Sequence, residues 1–368
     1  MSLYNSKLYM EDVVNTCALD LPWEKLKGKT ILVTGASGLI GSFFVDVILE
    51  KNRADGLGCT VLALGRSKEK IYNRFSNYES DKHLVYIPYD AASGVDETAL
   101  SEALDVINKS GTSGESRIDY ILHLASNTHP IQYATDPIGT IMTNVMGLKD
   151  LLELADKYGA ERFIFASSNE VYGENRGDVE FFDEKYCGYI DSNTLRAGYP
   201  ESKRCGEALC QAYISQKKLD VVIARFTRTY GPSMQMTDTK AISQFIKNGL
   251  AGEDIVLKSE GKQFYSYAYM ADSVSGLLTL MLLGEKGEAY NIADEASDIM
   301  MKDLAQCIAE ISGTKVVFDL PDAVEASGYS TATKARLAGD KLKKLGWKPA
   351  YNIKLGLNKT LDILKGEN

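Results

Sequence analysis

Short apolar runs rich in β-branched residues recur along the chain, and most are followed by a stretch whose apolar positions return every three or four residues. Residues 29–34 (KTILVT) are apolar on both faces, which marks a strand buried inside a parallel sheet, and they end in a glycine-rich turn. Helical periodicity follows over residues 39–51. Further short apolar strands are predicted at 60–64 (TVLAL), 84–87 (LVYI), 120–124 (YILHL), 163–166 (FIFA) and 221–224 (VVIA). Longer helical stretches at 140–158 and 199–216 stand between them. Strands alternating with helices specify an α/β fold, a Rossmann-type doubly wound parallel sheet with right-handed crossovers.

After Gly231-Pro232 the alternation breaks. A helix over 239–249 and a strand over 255–257 begin a smaller mixed lobe, expected over the C-terminal edge of the sheet, where ligands bind in such folds. The expected organisation is a polar, partly helical lead-in at 1–28 packed on the outside, then a dinucleotide-binding domain at 29–231. A substrate-binding lobe at 232–368 follows, with 262–285 returning to the first domain. With 368 residues, a formal charge of −9 and a pI near 5.1, the chain can bury a large core but offers no bulk charge for nucleic acid or an anionic membrane. Its six cysteines form no C-x-x-C pair and have no histidine cluster beside them, so neither a metal site nor a disulfide framework is expected. No apolar run approaches a membrane span and the first residues lack a signal-peptide core, so a reduced cytoplasmic setting is expected.

The turn after the first strand reads Thr34-Gly35-Ala36-Ser37-Gly38-Leu39-Ile40-Gly41. Glycines at that spacing let backbone amides approach a pyrophosphate at a helix N-terminus. Gly35, Ser37, Gly38, Leu39, Ile40 and Gly41 are therefore cofactor candidates, with Leu124 and Ala125 at the end of a neighbouring strand. An NAD site usually has an acid after the second strand. Here Leu64-Gly65-Arg66-Ser67 stands instead, and Arg66 suits a 2′-phosphate, which tilts the cofactor from NAD toward NADP. Alternatively, Arg66 is a solvated loop residue stacked on adenine. Asp90, after the third strand, either reaches the adenine amine or ends its strand.

The chemistry concentrates in Ser167-Ser168-Asn169-Glu170-Val171-Tyr172-Gly173 and Tyr199-Pro200-Glu201-Ser202-Lys203. Free tyrosine titrates near 10 and is a poor base at neutral pH. A lysine four residues along the same helix face brings a positive charge that favours tyrosinate. Tyr199 can then take a hydroxyl proton while Ser168 hydrogen-bonds the reacting oxygen and Lys203 holds the nicotinamide ribose. His123 and His129 are read as structural. Met234 and Met236 belong to a flap or to core packing.

On these motifs the chain resembles the extended short-chain dehydrogenase/reductase family that remodels nucleotide sugars, from about Lys29 to Pro349. Residues 123–155 and 261–277 look most like the corresponding segments of UDP-glucuronate decarboxylases. The resemblance implies that Asn144, in TNVMG, steadies the central helix near the proton relay, and that Glu170 acts on the sugar beyond carbon 4. Asn169 replaces the acid that glucose-type dehydratases place there, and is expected to touch substrate. Two positions depart from the family. Arg228 stands where an asparagine is usual, and Tyr265 stands where an arginine grips the diphosphate. Either Arg228 takes over the anion, or the substrate differs, or Arg228 pairs with a nearby acid.

The expected activity is oxidation of a nucleotide sugar at carbon 4, followed first by decarboxylation of a hexuronate. A 4,6-dehydratase or 4-epimerase is the alternative, then an NADP-dependent ketoreductase. A non-catalytic dinucleotide sensor fits poorly, because it would have no need of the Tyr199–Lys203 pair. The resemblance also implies a homodimer built on the helices at 140–158 and 199–216.

Overall fold

The computed structural model describes residues 2–109, 117–126, 135–319 and 333–366. Its strands begin with β1 (Thr30–Thr34), β2 (Thr60–Gly65), β3 (Leu84–Asp90), β4 (Gly94–Val95), β5 (Tyr120–His123), β6 (Arg162–Ser168) and β7 (Val221–Phe226). Then come β8 (Arg228–Tyr230), β9 (Ile255–Leu257), β10 (Phe264–Tyr269), β11 (Ala289–Ile292), β12 (Asp298–Met300), β13 (Val316–Phe318) and β14 (Lys334–Ala335). The helices used below are α1 (Lys7–Cys17), α2 (Leu39–Asp55), α3 (Lys68–Arg74), α4 (Glu97–Lys109), α5 (Pro137–Lys157), α6 (Gly198–Lys217), α7 (Ala241–Ala251), α8 (Met270–Leu283), α9 (Met301–Ser312), α10 (Asp340–Lys343) and α11 (Ile353–Lys365).

An eight-stranded sheet runs in the order β11-β7-β6-β5-β1-β2-β3-β4. All neighbours are parallel except β3 and β4. β1 pairs with both β2 and β5, so strand order reverses there, and a crevice opens beyond the carboxyl ends of these strands. Outside this sheet, β10 lies between β12 and β14 and also pairs with β8, while β9 pairs with β13. β11 brings the chain back from that region to the edge of the large sheet beside β7.

Several predicted boundaries shift for local reasons. The strand expected at 120–124 stops at His123, because Leu124 and Ala125 turn to pack against Gly35. α2 runs beyond the expected end to Asp55 and stops at Gly56, which adopts the left-handed conformation. α5 starts earlier than expected, at Pro137, where the Asp136 side chain accepts from Gly139 N and proline fits the first turn.

The lead-in packs over α2, with Lys7, Glu11, Val14 and Asn15 of α1 left exposed. α2 is apolar on nearly every side (Phe43, Phe44, Val45, Val47, Ile48 and Leu49 are all buried), so the sheet can cover only one of its faces. α1 covers another, burying Tyr9 and Val13. Two wholly buried carboxylates tie the segment down. Asp46 of α2 accepts from Tyr4 Oη at 2.6 Å, from Tyr9 Oη and from Arg74 Nη2 at 2.6 Å. Asp12 of α1 accepts from Tyr269 Oη at 2.7 Å, Tyr351 Oη at 2.6 Å and Lys359 Nζ at 2.6 Å. Each buried acid thus has one cation and two phenols to compensate its lost hydration.

Candidate active site

The site forms where the β1 turn, the ends of β5 and β6, and the start of α6 meet. Gly35 has φ +68°, and a Cβ there would lie 3.0 Å from Ala125 N. Only glycine lets this turn close against the end of β5. A Cβ on Gly41 would collide with the Gly35 carbonyl, so the first turn of α2 also sits tightly on the loop. Gly38 is the N-cap of α2 and has no side-chain cap. The helix therefore presents free amides and its positive dipole end, a cradle that fits the pyrophosphate of a dinucleotide. Ser37, Leu39 and Ile40 lie on this turn. Ala125 N donates to Thr34 Oγ1 at 3.0 Å, which fixes the opposite wall with Leu124.

Arg66 is exposed at the end of β2 and pairs with no acid among the described residues. Asp90 Oδ1 accepts from Ala92 N at 2.9 Å, so its carboxylate ends β3. Of the two histidines read as structural, His123 is buried and shares a hydrogen bond with Thr34 Oγ1 at 3.0 Å. Burial, with the Lys203 charge adding to it, lowers its pKa to about 3. His129 lies outside the described residues. Met234 is buried in the core, whereas Met236 is exposed.

Ser168 ends β6, and Tyr199 and Lys203 occupy the first turns of α6, all three buried. Ser168 and a residue the sequence reading missed, Ser126, both hydrogen-bond the Tyr199 phenol. Ser126 Oγ also donates to Asn144 Oδ1 at 2.8 Å. Asn144 Nδ2 donates to Ser202 Oγ at 2.9 Å, and Ser202 Oγ donates to Tyr199 O at 2.7 Å. Asn144, from α5, thus bridges the β5 loop and α6 around the phenol. The strand-end position of Ser126, beside Leu124 and Ala125, was the available signal for it.

Lys203 Nζ donates to Ala166 O at 2.9 Å and lies 5.8 Å from the Tyr199 ring centre. Burial lowers its pKa to about 8. The expectation that Lys203 would lower the phenol is not met. Burial raises Tyr199 well above its ordinary value, and the Glu170 carboxylate raises it further. The hydrogen bonds from Ser168 and Ser126 oppose that rise.

Glu170 is held by its backbone: its N donates to Ser168 Oγ at 3.2 Å. Its carboxylate lies 3.7 Å from Arg196 Nη2. Arg196 lies on the turn before α6, and no local pattern marks it. Arg204 secures the same segment, donating from Nε to Val171 O at 2.7 Å and from Nη2 to Gly188 O at 2.6 Å. Asn169 is buried beside Ser168 and Glu170. Arg228 and Tyr265 come together on the other wall: β8 and β10 are parallel neighbours, and the Arg228 Cζ lies 3.6 Å above the centre of the buried Tyr265 ring. No acid pairs with Arg228 among the described residues.

Residues 31–293 match the NAD dependent epimerase/dehydratase family. The chain belongs to that family. Among its relatives, UDP-glucuronic acid decarboxylase 1 of Xenopus tropicalis is 31% identical over 345 residues, covering 92% of this chain and 73% of that one. In fold it is similar to a dTDP-glucose 4,6-dehydratase from Bacillus anthracis in complex with NAD, with TM-score 0.73, 21% identity and coverage of 91% and 96%. It is likewise similar to a UDP-glucuronic acid 4-epimerase from Bacillus cereus in complex with UDP-glucuronic acid and NAD, with TM-score 0.74, 22% identity and coverage of 92% and 99%. The protein is an enzyme of this epimerase/dehydratase family. No helix among its described residues is long and apolar enough to cross a membrane.

Proposed function

We propose that this enzyme oxidises a nucleotide hexuronate at carbon 4 and then decarboxylates it, with UDP-glucuronate as the first substrate to try. The observation that carries the reading is Glu170, on the turn leaving Ser168 and close enough for its charge to act on Tyr199. The relatives named UDP-glucuronic acid decarboxylase support it. In this reading Tyr199, its phenolate favoured by the positive charge a bound nicotinamide would bring, removes the proton of the 4-hydroxyl, and Ser168 hydrogen-bonds the same oxygen. The nicotinamide cofactor supplies the hydride acceptor and, later in the turnover, the hydride donor. The ketone at carbon 4 turns the carboxyl on carbon 5 into a β-keto acid, which releases carbon dioxide and leaves an enolate. Glu170 orients the ring there and handles the proton returned to carbon 5. Asn169 has no acidic proton for a departing 6-hydroxyl, which places 4,6-dehydration second and 4-epimerisation with it.

The finer cofactor preference is for NADP. β2 ends in Gly65-Arg66-Ser67 with no acid, and Arg66 is exposed and free for a 2′-phosphate. Residues 29–231 would hold the cofactor, and 232–368 would hold the substrate, with 262–285 returning to the first part. A homodimer is supported by the apolar stripe of Ile138, Ile141, Met142 and Met146 exposed along α5. A patch of this kind on paired helices suits an isologous contact. A reduced, cytoplasmic setting suits six free cysteines.

The deciding experiment is mass spectrometry of the product after incubation with UDP-glucuronate and either NAD or NADP. Loss of carbon dioxide is expected. An unchanged mass, with no epimer resolved by chromatography, would remove UDP-glucuronate as the substrate.

A further inference from the structure

Among the described residues, three charged side-chain atoms are buried without a hydrogen-bond partner: Arg228 Nη1, Asp298 Oδ2 and Arg336 Nε. Asp298 and Arg336 attract each other, so each has an opposite charge nearby. Arg228 has none. A buried guanidinium N–H left unmade costs more than a hydroxyl in the same position, because its desolvation is not repaid by any contact within the fold.

The surroundings hold this group in place. The guanidinium carbon lies over the Tyr265 ring, 3.6 Å from its centre. Tyr265 is itself buried on β10, which is pinned in parallel register with β8 at Tyr267↔Arg228, Ala268↔Thr229 and Tyr269↔Tyr230. A guanidinium stacked on a ring has its face occupied and presents its edge, the fork of N–H groups that matches phosphoryl oxygens. Position matters as well. Phe226 lies opposite Ser168 in the β6–β7 register, and Arg228 follows two residues later. The guanidinium therefore shares the mouth at the strand ends with the acid–base group.

We propose that Arg228, held on Tyr265, is the cation that receives the diphosphate of the nucleotide sugar. The assignment rests on the nucleotide-sugar reading above and deepens it. A sugar carboxylate is the other anion such a substrate can carry. It must sit next to the carbon held over Tyr199, on the side of Glu170, where the facing cation is Arg196 at 3.7 Å. Arg228 comes from different strands, which separates the diphosphate from the reacting carbon.

The test is calorimetric binding of UDP, dTDP and GDP to the intact protein, read apart from turnover. At least one nucleoside diphosphate should bind, and its nucleoside should bind at least 10-fold more weakly. Arg228→Gln should weaken the diphosphate by about 10- to 100-fold and leave the nucleoside unchanged, while Tyr265→Phe, which keeps the ring, should stay within about 3-fold. Equal binding of nucleoside and nucleoside diphosphate by the unmodified protein overturns the proposal, even if Arg228→Gln does not fold. So does failure of all three diphosphates to bind. A loss on Arg228→Gln that affects UDP-glucuronate but spares UDP and UDP-glucose assigns the arginine to the carboxylate and overturns the diphosphate role. Diphosphate binding through Arg228 in a protein that leaves UDP-glucuronate unchanged would sink the decarboxylase reading and keep this one.

Discussion

The two walls of the cleft are finished to different degrees. Around Tyr199 every group is already engaged: Ser168 and Ser126 on the phenol, Asn144 between Ser126 and Ser202, and Lys203 on a backbone carbonyl. Across from it, Arg228 rests on Tyr265 with a buried N–H that nothing in the fold satisfies. The acid–base wall is preorganised, so its hydrogen bonds are made before substrate arrives, as catalysis by positioned dipoles requires. The other wall keeps an unmet hydrogen-bond demand, which the diphosphate proposed above would fill. On the proposals above, one wall performs the reaction and the other selects the molecule presented to it.

Removing the phenol should separate these roles most sharply. Tyr199→Phe keeps the ring in its buried place and deletes only the group that takes the proton. Turnover should fall by about 10²- to 10⁴-fold, while the dissociation constant for UDP stays within about 2-fold. Equal losses in both would mean that the walls are not separable. A smaller loss is expected at Asn144, which touches no reacting atom in this arrangement. Asn144→Leu cuts the link from Ser126 to Ser202 and lets the phenol drift, and a misplacement of that kind costs about 10²-fold in rate. A kcat loss with unchanged KM would mark a positioning role. Simple unfolding would instead lower the amount of active enzyme and the melting temperature together.

Legibility in the sequence follows the same division. Ser168, Glu170, Tyr199 and Lys203 fall within two short segments, and Gly35 to Gly41 within one turn, so local spacing was enough to find them. The strand–helix alternation likewise located β1, β2, β3, β5, β6 and β7, because each is a continuous apolar run; the two-residue β4 leaves no such run. Meeting of Arg228 and Tyr265 depends on β8 lying parallel to β10, a pairing between segments far apart in the chain. Periodicity carries no information about such register. Ser126 touches Tyr199 and Asn144, and Arg196 touches Glu170; isolated contacts between separate segments leave no pattern. The roles of Tyr4, Tyr9 and Asp12 are illegible for a related reason: they enter buried networks whose partners lie far away in the chain.

The finest test concerns what the prepared wall costs the fold. Lys203 is buried, and its pKa falls from 10.5 to about 8, so the folded chain holds this proton less tightly than the unfolded chain does. The sign follows from linkage. Below pH 8 the lysine is charged in both states and its burial penalty is fully present. Between about 8 and 10.5 the folded state releases the proton first, and the penalty shrinks as pH rises. The shift corresponds to about 3 kcal/mol, against which the hydrogen bond to Ala166 O returns about 1 kcal/mol. Lys203→Met fills similar space without the charge. It should therefore raise stability at pH 7 by about 2 kcal/mol, with the advantage narrowing by pH 9.5, while abolishing turnover. Urea unfolding of both proteins at the two pH values reads this directly. A variant less stable than the parent at pH 7 would show that Lys203 holds the wall together, and the contrast between a costly catalytic wall and an open binding wall would fail.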